Sequence, residues 1–332
     1  MHKLYLLVLC QFGENSQATF KSRDYAAALK AWQAGLKEAR RSKNLQRISV
    51  FLYPLGWASE EFERYEDALD AYRPSLSLTH LLGQTEHEGH AFANLGIAHF
   101  YAGEDLSALE HYQQAHARYR QLRRSDLEAD VLNNIGDLYE RRGRFQEALY
   151  SYRQALTIRE QLQDIGAQGR IFSNIGAISW HLGHYDETLS YYALALKAKR
   201  TVGDRRGEAA TLNNIAVVYR KQYDYEQALD FYQNALTLRR TLNDPRGQAG
   251  TLTGIGMVYR DNGRMQEAME AFQQSLSLAL SIGEPRRQST SLMQIGKLYA
   301  LLGKTQQVHD AFNSSVRLGE GVFSLAVYSG KH

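Results

Sequence analysis

The sequence predicts an all-α fold, a solenoid of about eight antiparallel helix pairs. Three observations predict it. Small and aromatic residues return every 40 residues with no slippage, which is the mark of a stacked repeat array. Within each period the apolar residues fall at three- and four-residue spacing, so they line helix faces. The 332-residue chain also has only four prolines among many Ala, Leu, Gln, Glu and Arg, a helix-forming composition.

The elements follow in order from one period, residues 129–168. Leu132, Ile135, Leu138 and Tyr139 define one face of a first helix. Gly136 lies inside that helix at a cost of about 1 kcal/mol relative to alanine. Its counterparts are Gly56, Gly96, Gly176, Gly256 and Gly296, with Ala216 in the remaining place. A glycine kept there implies that another helix approaches closely. Gly143 then stops the helix, as Gly103, Gly183, Gly263 and Gly303 do in other periods. Phe145, Ala148, Leu149, Tyr152, Ala155, Leu156 and Ile158 form the apolar face of a second helix. Gly136 and Ala148 sit at the crossing, and Tyr152, one of a column of aromatics from Trp32 to Phe312, fills the gap towards the next repeat. The joins carry cap and turn signals at Gly203-Asp204, Asn243-Asp244-Pro245 and Gly283-Glu284-Pro285, where an acidic residue before Pro reads as an N-cap followed by the first helical position.

The Ile-Gly-x-x-Tyr of the first helix (Ile135, Gly136, Tyr139) and the Phe-x-x-Ala-x-x-x-Tyr-x-x-Ala of the second (Phe145, Ala148, Tyr152, Ala155) resemble the tetratricopeptide repeat. The resemblance covers roughly residues 17–318 and implies a right-handed superhelix. Usual repeats of this family have about 34 residues, so six more lengthen both helices by about a turn each. The 40-residue form resembles the long-repeat class of Pins-type polarity scaffolds, kinesin light chains and bacterial arrays that precede a caspase-like CHAT domain. The Gln/Arg-rich surface and the Leu-Asn-Asn-Ile wording point to a bacterial source. The frame gives repeats near 9–48, 49–88, 89–128, 129–168, 169–208, 209–248, 249–288 and 289–318, an array over 19–318. Residues 1–18 read as a ragged first helix or a signal peptide, and 319–332 as a C-terminal cap or tail.

Composition bounds the function. A formal charge of +3 on 332 residues is near balance and argues against a nucleic-acid footprint. A single cysteine, Cys10, excludes an intramolecular disulfide and a multi-cysteine metal site. No apolar stretch reaches the roughly 18 residues of a membrane span.

The candidate site lies on the first helices. Asn94, Asn134, Asn174 and Asn214 each stand two residues before the repeat glycine or its alanine substitute, with Asn133 and Asn213 preceding two of them. An amide both donates and accepts, which suits the backbone of an extended peptide. At about 10 Å between packed helices and about 3.3 Å per extended residue, such amides would meet a peptide every three residues or so. The resemblance places this column on the concave face, where asparagines of Pins-type and kinesin-light-chain arrays bind peptide. The alternative is that these amides only join helices within the stack. Charges on this side run from acidic (Glu60, Glu61, Asp130, Asp137, Glu140) to basic (Arg141, Arg170, His181, Arg220, Lys221, Arg260, Lys297), with Asp261 against the trend. Arg141, Arg170, Arg220, Lys221 and Arg260 would match an acidic stretch of a ligand, unless these are merely solvated helix faces. The resemblance does not extend to chaperone-binding clamps, which need asparagine where this chain has Trp57, Ile97, Asp137, Ala177, Val217, Met257 and Lys297.

His87, His90, His99, His111 and His116 cluster in one repeat. His87 and His90 on one helix face are a conceivable metal pair, but the group reads as surface histidines. No nucleophile–base set and no phosphate-binding loop is present in the pattern. The sequence therefore predicts a cytoplasmic, non-enzymatic scaffold without cofactor, binding an extended protein or peptide segment, and neither nucleic acid nor a membrane. Export is the alternative if residues 1–18 are a signal. A regulatory sensor whose effector domain lies outside this chain is the alternative function.

Overall fold

The computed structural model of the protein describes residues 25–328; the signal-or-helix reading of residues 1–18 lies outside them. The chain divides into two compact units, 1–163 and 164–332. The described part of the first unit holds α1 (Tyr25–Arg41) and three hairpins: α2 (Leu45–Glu61) with α3 (Tyr65–Leu81), α4 (Thr85–Ala102) with α5 (Asp105–Gln121), and α6 (Ser125–Arg141) with α7 (Phe145–Gln161). The second unit holds four hairpins: α8 (Ile165–His181) with α9 (Tyr185–Thr201), α10 (Arg205–Lys221) with α11 (Tyr225–Thr241), α12 (Pro245–Asp261) with α13 (Met265–Ser281), and α14 (Pro285–Leu301) with α15 (Thr305–Tyr328). The described residues contain no strand. Within each unit, helices of one hairpin pack more extensively than helices of successive hairpins.

The hairpins begin at 125, 165, 205 and so on, a few residues ahead of the frame read from the sequence. The last helix continues through residues 319–328. Most helices have 17 residues, which at 1.5 Å per residue is about 25 Å.

The 40-residue period contains a 20-residue one. Every twentieth residue from Lys43 to Gly303 has positive φ, the left-handed conformation that terminates a helix. Gly143 does this at φ 69° without penalty. Arg123 and Tyr223 do it with a side chain, at φ 55° and 63°. The following amide reaches back five residues, as Arg144 N does to Tyr139 O at 2.8 Å, which closes a Schellman motif. That same residue is the N-cap of the next helix, so a turn needs only three residues. Asp204 and Asp244 accept from Gly207 N (2.9 Å) and Gly247 N (2.8 Å), as their positions predict. Glu284 precedes its proline but makes no cap bond; it pairs with Arg246 instead.

The repeat glycine is explained by the aromatic sixteen residues later. A Cβ added at Gly56, Gly96, Gly136, Gly176 or Gly256 would come within 3.0 Å of the ring of Tyr72, Tyr112, Tyr152, Tyr192 or Phe272. These rings are buried, and burying each contributes roughly 2–3 kcal/mol. Ala148, Ala155 and their counterparts are also buried, which lets the helices approach.

Candidate functional site

Two residues along a helix is a rotation of about 200°, so the asparagine column faces away from the ring that covers the repeat glycine. What each amide meets differs from repeat to repeat. In the first unit, Asn94 is 7% exposed and shares a hydrogen bond with the half-buried Tyr53. Asn133 donates to Asp137 Oδ2 at 3.2 Å. Asn134 is half-buried and has no hydrogen-bond partner among the described residues. In the second unit, Asn174 is half-buried and engaged within the protein. Asn213 Oδ1 accepts from Thr251 Oγ1 at 3.3 Å. Asn214 is exposed, with no partner among the described residues. The column thus divides into amides engaged within the protein and two open ones, Asn134 and Asn214.

The cations divide in the same way. Arg141 stacks over the Phe100 ring at 3.6 Å, donates to Phe100 O at 2.5 Å and pairs with Asp105. Arg220 and Arg260 share Asp261, each at 2.8 Å, and Arg260 Nη1 also donates to Gln294 Oε1 at 2.8 Å. Asp261, which breaks the basic trend in the sequence, is therefore the anchor of the two arginines beside it. Arg170 and Lys221 remain exposed, without an ion pair among the described residues.

The acidic end is a bonded cluster. The buried Tyr152 hydroxyl lies 2.6 Å from Asp137 Oδ1 and 2.9 Å from Glu140 Oε2. Burial pushes the Asp137 carboxyl up to about 6, against the lowering effect of the Tyr152 hydrogen bond, and Glu140 adds to the rise.

The histidines correct the reading of a surface group. His90 and His99 are 8% and 6% exposed. His90 Nδ1 lies 2.7 Å from the Tyr119 hydroxyl, and burial with His87 nearby pushes its pKa down to about 4. His99 Nδ1 lies 2.5 Å from Glu104 Oε2, and its ring stacks on His111 at 5.0 Å. A polar aromatic can enter a helix interface once it has one fixed partner, and in both cases that partner is distant or across a turn. Among the described residues no group of three or more His, Cys, Asp or Glu is placed to hold a metal ion. None of the helices among them is long and apolar enough to cross a membrane.

The sequence reading missed one set of residues on the second helices. Arg159 (α7) is 6% exposed and pairs with Asp130 of α6 at 2.5 Å. Lys199 (α9) is 9% exposed and donates to Ser173 Oγ (2.8 Å) and Thr211 Oγ1 (2.7 Å). The 40-residue step linking Arg159, Lys199 and Arg239 was a visible signal for them.

The tetratricopeptide repeat model matches residues 85–161, 168–241 and 247–320. No curated protein sequence matches the chain. Several solved structures share its fold. The apo form of the quorum sensor NprR from B. thuringiensis superposes with a TM-score of 0.73 at 16% identity, covering 92% of this chain and 85% of that one. Aspartyl phosphate phosphatase F from Bacillus subtilis gives 0.68 at 12% identity, over 87% and 74%. The Rap conjugation gene regulator of the plasmid pLS20, solved with the Phr* peptide, gives 0.59 at 17% identity, over 86% and 78%.

Proposed function

Because this chain belongs to the tetratricopeptide repeat family, we propose that it is a non-enzymatic scaffold that holds an extended segment of a partner protein or peptide along the first helices of its repeats. The observation that carries this reading is the pair of open amides. Asn134 and Asn214 occupy the same register position, are not buried, and use neither donor nor acceptor on the described residues. A primary amide in that state is poised to pair with the N–H and C=O of an extended chain. The exposed Arg170 and Lys221 favour a segment with acidic residues over the second unit. Similarity to a quorum sensor and to a regulator solved with a peptide supports a peptide as partner and a sensing role as the variant of this reading.

The test uses a peptide selected from a random library for binding to the full chain. Asn134→Ala with Asn214→Ala should weaken that peptide roughly tenfold, the sum of two lost hydrogen bonds, and leave the melting temperature unchanged. Asn94→Ala, at a buried position, should lower the melting temperature instead. Unchanged affinity in the double variant would overturn the proposal, as would a drop in its melting temperature equal to that of Asn94→Ala.

A further inference from the structure

A buried cation needs a counter-charge, and in the first unit it has one: Arg159 pairs with Asp130 and also donates to Asp126 O at 2.8 Å. In the same register the second unit keeps the cation, as Lys199 on α9 and Arg239 on α11, but loses the carboxylate. The position of Asp130 becomes Arg170, Ala210 and Gly250. Arg239 Nη1 donates to Gly247 O and Thr251 Oγ1, both at 2.5 Å, which are neutral acceptors. Neither Arg239 nor Arg287 makes an ion pair with a described residue, and Arg287 Nε is buried without a partner. Asp244 acts on Arg239 through its charge but makes no ion pair with it, and its Oδ1 caps Gly247 N.

The two guanidinium groups converge. A Cβ placed on Gly250 would lie 2.9 Å from Arg287 Nη1 and 3.9 Å from Arg239 Nη1. Two like charges therefore meet over a stretch of α12 that has no side chain. Burial pushes the Arg239 pKa down; the charge of Asp244 opposes that fall and the charge of Arg287 adds to it. An arrangement that costs the free protein repulsion and desolvation gains from an anion that enters between the two groups.

We propose that Arg239 and Arg287 form a carboxylate-binding site over Gly250, which takes an acidic side chain of the bound peptide segment. The inference rests on the reading of the chain as a peptide scaffold, and it assigns part of that peptide's chemistry. The ligand's carboxylate does for Arg239 what Asp130 does for Arg159. A guanidinium favours a carboxylate over a spherical anion because each group offers its N–H donors in one plane.

The test is to supply the missing carboxylate from within. The Cβ of Gly250→Asp meets only the flexible ends of Arg287 and Arg239, so the fold accommodates it by a small shift of Arg287. The probe is a fluorescent hexaglutamate peptide, with hexaglutamine as the uncharged control, added to the full chain. The wild type should bind hexaglutamate and not hexaglutamine. Gly250→Asp should lower hexaglutamate affinity at least about tenfold, by neutralising and filling the site, and should raise the melting temperature. Arg287→Gln should weaken binding by a similar factor. Hexaglutamate binding unchanged in both variants overturns the site, while the library peptide and its asparagine variants still decide the scaffold reading on their own. Stabilisation by inorganic phosphate beyond that of chloride at equal ionic strength, with no hexaglutamate binding, overturns the peptide assignment in favour of a phosphate site.

Discussion

Two side chains of the first unit titrate with opposite consequences. The neutral His90 ring shares a hydrogen bond with the Tyr119 hydroxyl in a buried site. Its pKa of about 4 lies below the unfolded value of 6.5. The unfolded chain thus takes up the proton first as pH falls. The stability that His90 contributes is complete above pH 6.5 and is lost on the way to pH 4, about 3 kcal/mol in all. Asp137 runs the other way. Its pKa of about 6 lies above the usual 3.8, so its ionised form costs the fold. That cost disappears as pH falls from 6 to 3.8, a gain of up to about 3 kcal/mol. The two slopes offset one another in the wild type. His90→Gln should flatten or reverse the acid loss between pH 6.5 and 4. Asp137→Asn should steepen it while raising stability at pH 7, because asparagine still accepts from Tyr152. Melting temperatures across that interval decide the matter, and parallel curves for wild type and both variants would refute the assignment.

Helix packing is set by one ring per hairpin, and one hairpin departs from the rule. Where the glycine of α10 is replaced by the buried Ala216, the Tyr232 ring lies against Gly254 of α12, so that a Cβ there would meet its hydroxyl at 2.7 Å. Gly254 stands at the asparagine column's own position, so the missing amide and the extra methyl compensate each other. Gly254→Asn alone should destabilise by about 1–3 kcal/mol through overpacking, and Ala216→Gly alone by about 1 kcal/mol. Combined, they should cost at least about 1 kcal/mol less than the sum, measured by urea unfolding; strict additivity would show that the two positions do not share the ring. The sequence makes the tight approach at Gly136 and the Tyr152 column legible because both residue types recur, but it points Tyr152 towards the next repeat, whereas the ring covers Gly136 of its own hairpin. The sequence makes the Ala216–Gly254 exchange illegible because each looks like an isolated lapse. Turns are legible at Gly143 and hidden at Arg123 and Tyr223, where helix length, not residue type, forces the left-handed conformation. At the candidate site the asparagine column is plain in the sequence. Which amides stay open is not, because it depends on neighbours such as Asp137 and Thr251 that approach from other turns and helices. The same holds for Arg220 and Arg260, whose shared partner Asp261 reads in one dimension as an exception.

Within each unit hairpins pack on their sequence neighbours, and the contacts gather into two compact units. An array with only nearest-neighbour coupling has no single point at which all of it must unfold together. The protein carries its own reporters, Trp32 and Trp57 in the first unit and Trp180 in the second. Trp180→Phe leaves fluorescence from the first unit alone, and Trp32→Phe with Trp57→Phe leaves it from the second. Urea unfolding of the two variants should give separate midpoints. Hexaglutamate, if held by Arg239 and Arg287, binds the folded second unit and should raise the Trp180 midpoint by mass action while leaving the other in place. Coincident midpoints would show that the chain unfolds as one block, and the ligand would then raise both together. The two units would in that case share one stability, and an acidic peptide bound near Gly250 would stabilise the Asn134 surface as well.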